Sequence, residues 1–128
     1  MTICGIESSC DECAVAVVRD GSAILSNTVA SQVHAHAPFD GVVPELASRM
    51  HVELVLPVYR ESLEAAGISS SQVDAIAVTN RPGLAGSLVV GLSFAKGLSM
   101  SLGVPFAGVD HILSHLYAVQ LEEPVSYP

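Results

Sequence analysis

Residues 2–29, TICGIESSCDECAVAVVRDGSAILSNTV, decide the fold. They divide into three β-rich runs of strand length, residues 2–7, 13–19 and 23–29, and the Asp20-Gly21 pair between the last two is a hairpin signal. The connections are too short for a crossover, so the runs are expected to lie as antiparallel neighbours. The apolar period then changes. Val43, Leu46, Ala47, Met50, Leu54 and Val58 form a helical stripe that predicts a helix over 44–66, with Pro44 in its first turn and Gly67 as its stop. Pro57, inside it, predicts a kink or a split. Residues 75–79 read as a buried strand. A second helix is expected over 84–102, with Leu84, Leu88, Leu92, Ala95 and Leu102 turned to the sheet, Gly103 at its end and Pro105 beyond. Residues 106–109 read as a short strand and 111–121 as a last helix with Asp110 as N-cap. Residues 122–128 read as a linker. The order βββαβαβα predicts an α/β fold, a mixed five-stranded sheet with an antiparallel edge and helical cover.

The chain has 128 residues, enough for one domain or one lobe of something larger. With 50% apolar and 14% charged residues it can build a core. Thirteen acids against five bases give a net charge of −8, and the bases (Arg19, Arg49, Arg60, Arg81, Lys96) are scattered. This argues against a self-sufficient nucleic-acid binder, which needs clustered cations for phosphate. Glu7, Asp11 and Glu12 precede the first base, Arg19, so the N-terminus does not read as a signal peptide. Residues 82–109 are the least charged, but Lys96, several glycines and Pro105 argue against a membrane span. Three cysteines suggest reduced thiols and a cytoplasmic setting.

Four features could carry chemistry. His111 and His115 in DHILSH stand four apart, hence on one helical face, where two imidazoles can clasp a transition metal. They could equally be two half-exposed helix histidines. Asp110 lies roughly 100° around the helix and is a poor third ligand, so a metal's coordination must be completed from elsewhere. HILSH lacks the Glu that zinc peptidases use as general base, which removes that reading. Second, the turn within residues 5–12 (GIESSCDE) could approach a phosphate or a hydrated cation, or be an ordinary turn. Cys10-x-x-Cys13 overlaps it, but one such pair is too few for zinc, and Cys13 begins a strand rather than a helix. Third, residues 81–87 (RPGLAGS) link a strand to a helix. They are either an anion-receiving turn or simply a tight one, and they lack the P-loop Lys-Ser/Thr pair. Fourth, Gly83, Ser87, Gly91, Ala95 and Ser99 form a strip of small residues that invites close approach, by the chain's own first helix or by another subunit.

Residues 5–12 (GIESSCDE), 41–49 (GVVPELASR), 79–84 (TNRPGL) and 111–115 (HILSH), in this order, resemble the TsaD family of tRNA threonylcarbamoyladenosine transferases. That resemblance implies an actin/sugar-kinase/Hsp70-like (ribonuclease H-like) fold with two lobes around a cleft. It implies transfer of a threonylcarbamoyl group from threonylcarbamoyl-adenylate to the N6 amine of the tRNA adenosine 3′ of the anticodon. It further implies one iron or zinc ion held by His111 and His115, with Asp11 and Glu12 as catalytic acids near the cleft. A TsaB-like paralogue and a TsaE-like ATPase would be partners, the paralogue pairing through the first two helices of this lobe. The expected interface therefore includes Gly83, Ser87, Gly91 and Ala95, and the fragment could also form a homodimer. Four positions depart from the family pattern: Ser8 and Cys13 replace Thr, Arg81 replaces Gly, and Asp110 replaces His or Asn. On this resemblance residues 1–121 form the N-terminal lobe and 122–128 begin the interlobe linker. The second lobe is absent, and the lobe alone is expected to be inactive. Two classes stay open, a lobe of a metal-dependent transferase and a non-catalytic TsaB-like dimerisation scaffold; the His pair separates them, since a scaffold has no need of it.

Overall fold

The structure, a computed structural model, describes residues 1–123. In chain order the elements are β1 (Thr2–Glu7), β2 (Glu12–Arg19), β3 (Ala23–Ser31), α1 (Val33–His36), α2 (Pro44–Ala66), β4 (Ala75–Arg81), α3 (Ala85–Leu102), β5 (Phe106–Asp110) and α4 (His111–Glu122). The sheet runs β3-β2-β1-β4-β5. β1, β2 and β3 pair antiparallel, while β4 and β5 are parallel to β1. This is the mixed five-stranded α/β sheet expected, with ribonuclease H-like connectivity. Asp20 and Gly21 take positive φ of 53° and 76° at the β2–β3 turn, as a tight hairpin demands. The single-turn α1 and the 3-10 turns at Ala37–Phe39 and Ser70–Gln72 are too short to leave a periodic signal. The expected linker falls partly within α4, which runs to Glu122, and residues 124–128 lie outside the described residues.

One sheet face is packed and the other is open. Cys4, Ile6, Cys13, Val15, Val17, Ile76 and Val78 point into a core closed by α2 and α3. The alternate positions Gly5, Ala14, Ala16 and Ala77 are only half-buried. α2 runs through Pro57 without a split, because Pro57 faces solvent, where water can satisfy the carbonyl it leaves unpaired. Its buried line is Ala47, His51, Val55, Val58, Tyr59, Ser62 and Leu63, rotated from the expected stripe; Leu46, Met50 and Leu54 flank it half-buried. The rotation places two polar residues in the core, each hydrogen-bonded there. His51 Nε2 lies 2.8 Å from the Cys10 carbonyl, and Ser62 Oγ donates to the Val15 carbonyl at 3.0 Å.

α3 buries Leu88 and Ala95 of the expected sheet-facing stripe, with Leu84, Leu92 and Leu102 half-buried, and it corrects the expectation for the small strip, whose Ser87 and Gly91 are buried beside them. A Cβ on Gly91 would stand 2.3 Å from Ser8 Oγ, and one on Gly83 would stand 2.7 Å from the Ser9 carbonyl. Ser8 Oγ in turn donates to the Ser87 carbonyl at 2.8 Å. The strip is therefore filled by the C-terminal end of β1 and the turn after it, and Ser87, Gly91 and Ala95 offer no surface to a second subunit. α3 is long and apolar enough to cross a membrane by length and composition. Here its small face is sealed against the sheet, with Val90, Leu92, Phe94, Leu98 and Leu102 packed on the same core.

Gly91→Ala should lower unfolding stability by about 1–3 kcal/mol, as overpacking does, without changing oligomeric state; denaturant unfolding with sedimentation checks both. Burial pushes the Cys4 thiol up to about 12, and burial with the nearby Glu7 charge pushes Cys13 to about 11, from an ordinary value of 9.0. Both thiols are thus kept neutral in the fold. The stability this contributes is complete below pH 9 and is lost as pH rises toward 11 and 12, because the unfolded chain ionises first. Urea midpoints from pH 8 to 10.5 should fall less steeply in a Cys4→Ala, Cys13→Ala variant. In native protein a disulfide reagent should modify Cys10 fast and the two buried thiols only after unfolding.

Candidate functional site

The C-terminal ends of the parallel strands β1, β4 and β5 meet at one edge of the sheet, the usual location of ligand sites in such sheets. β1 ends in Glu7, β4 carries Thr79 near its end, and β5 hands over directly to α4. Asp110 starts α4 as an N-cap: its Oδ1 accepts from the Ile112 N–H at 2.9 Å and the Leu113 N–H at 3.2 Å. This sharp start throws His111 back over the sheet, and the helical period brings His115 onto the same side.

The two rings converge. His111 Nε2 and His115 Nε2 are 3.1 Å apart, with the ring planes at 75°. Two nitrogens sharing a tetrahedral zinc sit about 3.4 Å apart, given Zn–N distances of about 2.0–2.1 Å. The pair thus fits a transition metal as two adjacent ligands, with His115 exposed and room left around it. Among the described residues no group of three His, Cys, Asp or Glu could hold a metal. The chain supplies two ligands, and the rest of a coordination sphere has to come from outside it.

The acid that meets the pair is Glu7. Its Oε2 lies 3.1 Å from His111 Nδ1 and accepts from Thr79 Oγ1 at 2.5 Å, while its Oε1 accepts from the Ser9 backbone N–H. Ser9 Oγ also lies 3.3 Å from His111 Nδ1. Burial raises the Glu7 pKa, but the bonds from Ser9, Thr79 and His111 outweigh it, and the carboxyl is held below its ordinary value. Beside the pair runs a groove of about 390 Å³ over the open sheet face, floored by Gly5, Ala16 and Ala77 and walled by Ser114 and Ala118. The small side chains on that face make the room.

Asp11 stands on the turn leaving β1 and Glu12 opens β2, both at the same end of the sheet. Among the described residues no hydrogen bond or ion pair joins either to His111 or His115. The turn itself is tightly held. The Asp11 carbonyl accepts from the Gln32 N–H at 2.9 Å, and Gln32 reaches the Ala47 carbonyl at 3.4 Å. His36 Nδ1 accepts from the Val43 N–H at 3.0 Å, so its Nε2–H donates to Gln32 Oε1, also at 3.0 Å. The GVVPELASR stretch therefore tethers the start of α2 to the acidic turn. The TNRPGL stretch makes a tight strand-to-helix turn, its Leu84 N–H donating to the Ser9 carbonyl at 2.8 Å. Arg81 there pairs loosely with Asp110 at 3.5 Å.

Comparison with known proteins now bears on this geometry. The sequence model of the family described as TsaD, tRNA N6-adenosine threonylcarbamoyltransferase, matches residues 23–128. The chain belongs to the TsaD family. A transferase of that name from Geotalea uraniireducens (strain Rf4) is 58% identical over 128 residues, which are 100% of this chain and 37% of that protein. One from Treponema denticola is 57% identical over 100% of this chain and 38% of that protein. The chain thus spans a little over a third of the length of such relatives. Among solved structures, YeaZ from Pseudomonas aeruginosa superposes with a TM-score of 0.63 at 25% identity, over 86% of this chain and 45% of that one. RuvC from T. thermophilus, at 17% identity and a TM-score of 0.52 over 88% of this chain and 66% of its own, shares the fold alone.

Asp110→Ala should lower stability by about 0.5–2 kcal/mol through loss of the cap. Because the cap also aims His111, hydrogen exchange should quicken in α4 more than in α2 or the sheet.

Proposed function

We propose that this chain is the N-terminal lobe of a metal-dependent TsaD transferase. The full-length protein would move a threonylcarbamoyl group from its adenylate to the N6 amine of the adenosine 3′ of the tRNA anticodon. The observation that supports this reading is the convergence of His111 and His115 at 3.1 Å, at the strand ends, beside an open groove. A bound iron or zinc ion would supply Lewis acidity toward the carbamoyl carbonyl and a template for its orientation. The chain's own part is to hold two imidazole nitrogens on one helical face and to keep the groove floor small enough for a ligand to lie across it. Asp11 and Glu12, presented at the braced junction of β1 and β2 at the same edge, would act on substrate in the full-length protein. With a net charge of −8, the lobe would leave tRNA phosphate contacts to other surfaces.

A TsaB-like paralogue would pack on the outward sides of α2 and α3, where Val52, Leu56, Val89 and Met100 are exposed, rather than on the small strip. A TsaE-like ATPase and a cytoplasmic location complete the proposal. The likeness to YeaZ favours a second reading, a scaffold lobe of the same fold; that reading leaves the convergent histidines without a task.

Isothermal titration of the chain with Zn²⁺ should show one site, abolished by His111→Ala with His115→Ala. The same pair of substitutions in the full-length protein should reduce threonylcarbamoyl transfer to tRNA to background. Unchanged zinc binding in the double variant would refute the ligand assignment, and unchanged transfer would favour the scaffold.

A further inference from the structure

Among the described residues Glu7 is the one acid hydrogen-bonded to the histidine pair. We propose that Glu7 is a positioning residue that sets the tautomer of His111, holding the proton on Nδ1 so that the Nε2 lone pair faces His115. The proposal rests on the reading of His111 and His115 as ligands and says how this chain prepares them.

The argument is one of donors and acceptors. A carboxylate can only accept, and each oxygen of Glu7 is committed. Oε1 takes the Ser9 backbone N–H, which has no other chemistry than donation, and Oε2 takes the Thr79 hydroxyl and faces His111 Nδ1 at 3.1 Å. A lone pair on Nδ1 would point at an anion; a proton there makes a charge-assisted bond instead. In a neutral imidazole the other nitrogen is then bare, and that nitrogen, Nε2, accepts from His115 Nε2–H at 3.1 Å until the exposed His115 ring gives up that proton. Ser9 Oγ, at 3.3 Å from Nδ1, could serve either tautomer and so does not choose between them. The choice is made before any metal arrives. A carboxylate on the far nitrogen of a ligating imidazole fixes the ring's orientation and raises its basicity.

Glu7→Gln makes the inference sharp, since it keeps the shape. The amide oxygen must take the Ser9 N–H, because the amide NH₂ cannot. The NH₂ group then replaces Oε2 and donates toward Nδ1, so the His111 proton moves to Nε2, where it blocks the ligand position. The test is long-range ¹H–¹⁵N spectroscopy of the histidine rings in the metal-free chain at pH 8.5, followed by Zn²⁺ titration. Wild type should show His111 with the Nδ1–H tautomer. Glu7→Gln should show Nε2–H and bind Zn²⁺ about 10–100-fold more weakly, with amide spectra unchanged away from the site. Ser9→Ala should keep the Nδ1–H tautomer and near-wild-type affinity. An Nε2–H tautomer in wild type overturns the proposal without any substitution, as does a Glu7→Gln variant that keeps Nδ1–H. A shift caused by Ser9→Ala and not by Glu7→Gln overturns it too. Failure of the ligand reading looks different: zinc binding would not respond to loss of both histidines, whereas the tautomer signals would still report on Glu7.

Discussion

Glu7 and His111 are 104 positions apart and meet across 3.1 Å. That contact links the first strand to the last helix, and the site depends on it. β1 is the central strand, antiparallel to β2 and parallel to β4, so its last residue is placed by both neighbours. The turn after it is held from behind by Gln32, His36 and His51 and from the side by the glycines of the β4–α3 segment. α4 buries none of its residues, and the Asp110 cap and His111 tie its start to the strand ends. The central strand thus presents an oriented carboxylate, and α4 brings the imidazoles to it.

Much of the fold was legible because the signals were local. Hairpin spacing, the Asp20-Gly21 turn and the switch from period two to period 3.6 report on neighbours within a few residues, and the element order followed. The faces of α2 and α3 were legible only in part. Hydropathy alone places leucines inward, but His51 and Ser62 are buried because they bond to β-strand or turn carbonyls, and Gly91 is buried because Ser8 leaves room for nothing larger. The buried side of α3 combines apolar area, from Leu88, Leu92 and Ala95, with close backbone approach at Gly91. A strip of small residues marks close approach, and the sequence does not say by whom.

In the site, the His pair was readable from its i, i+4 spacing. Glu7 was not, since it lies 104 positions from its partner in a strand otherwise read for its apolar residues. One cue was present: an acid as the last residue of an apolar central strand stands where parallel sheets place their ligands. Asp11 and Glu12 drew attention as a charged pair in a turn, while the acid that touches the histidines stood alone.

The central claim is that His111 and His115 together grip one metal ion through Nε2. Anomalous diffraction at the zinc edge, on crystals of this chain grown with Zn²⁺, tests it most directly. The account predicts one peak bonded to both Nε2 atoms at about 2.0–2.1 Å, with Glu7 on the far nitrogen of His111 and not on the metal. A peak on one ring alone, on Nδ1, or on Glu7 itself, or none between the rings at saturating zinc, would contradict it.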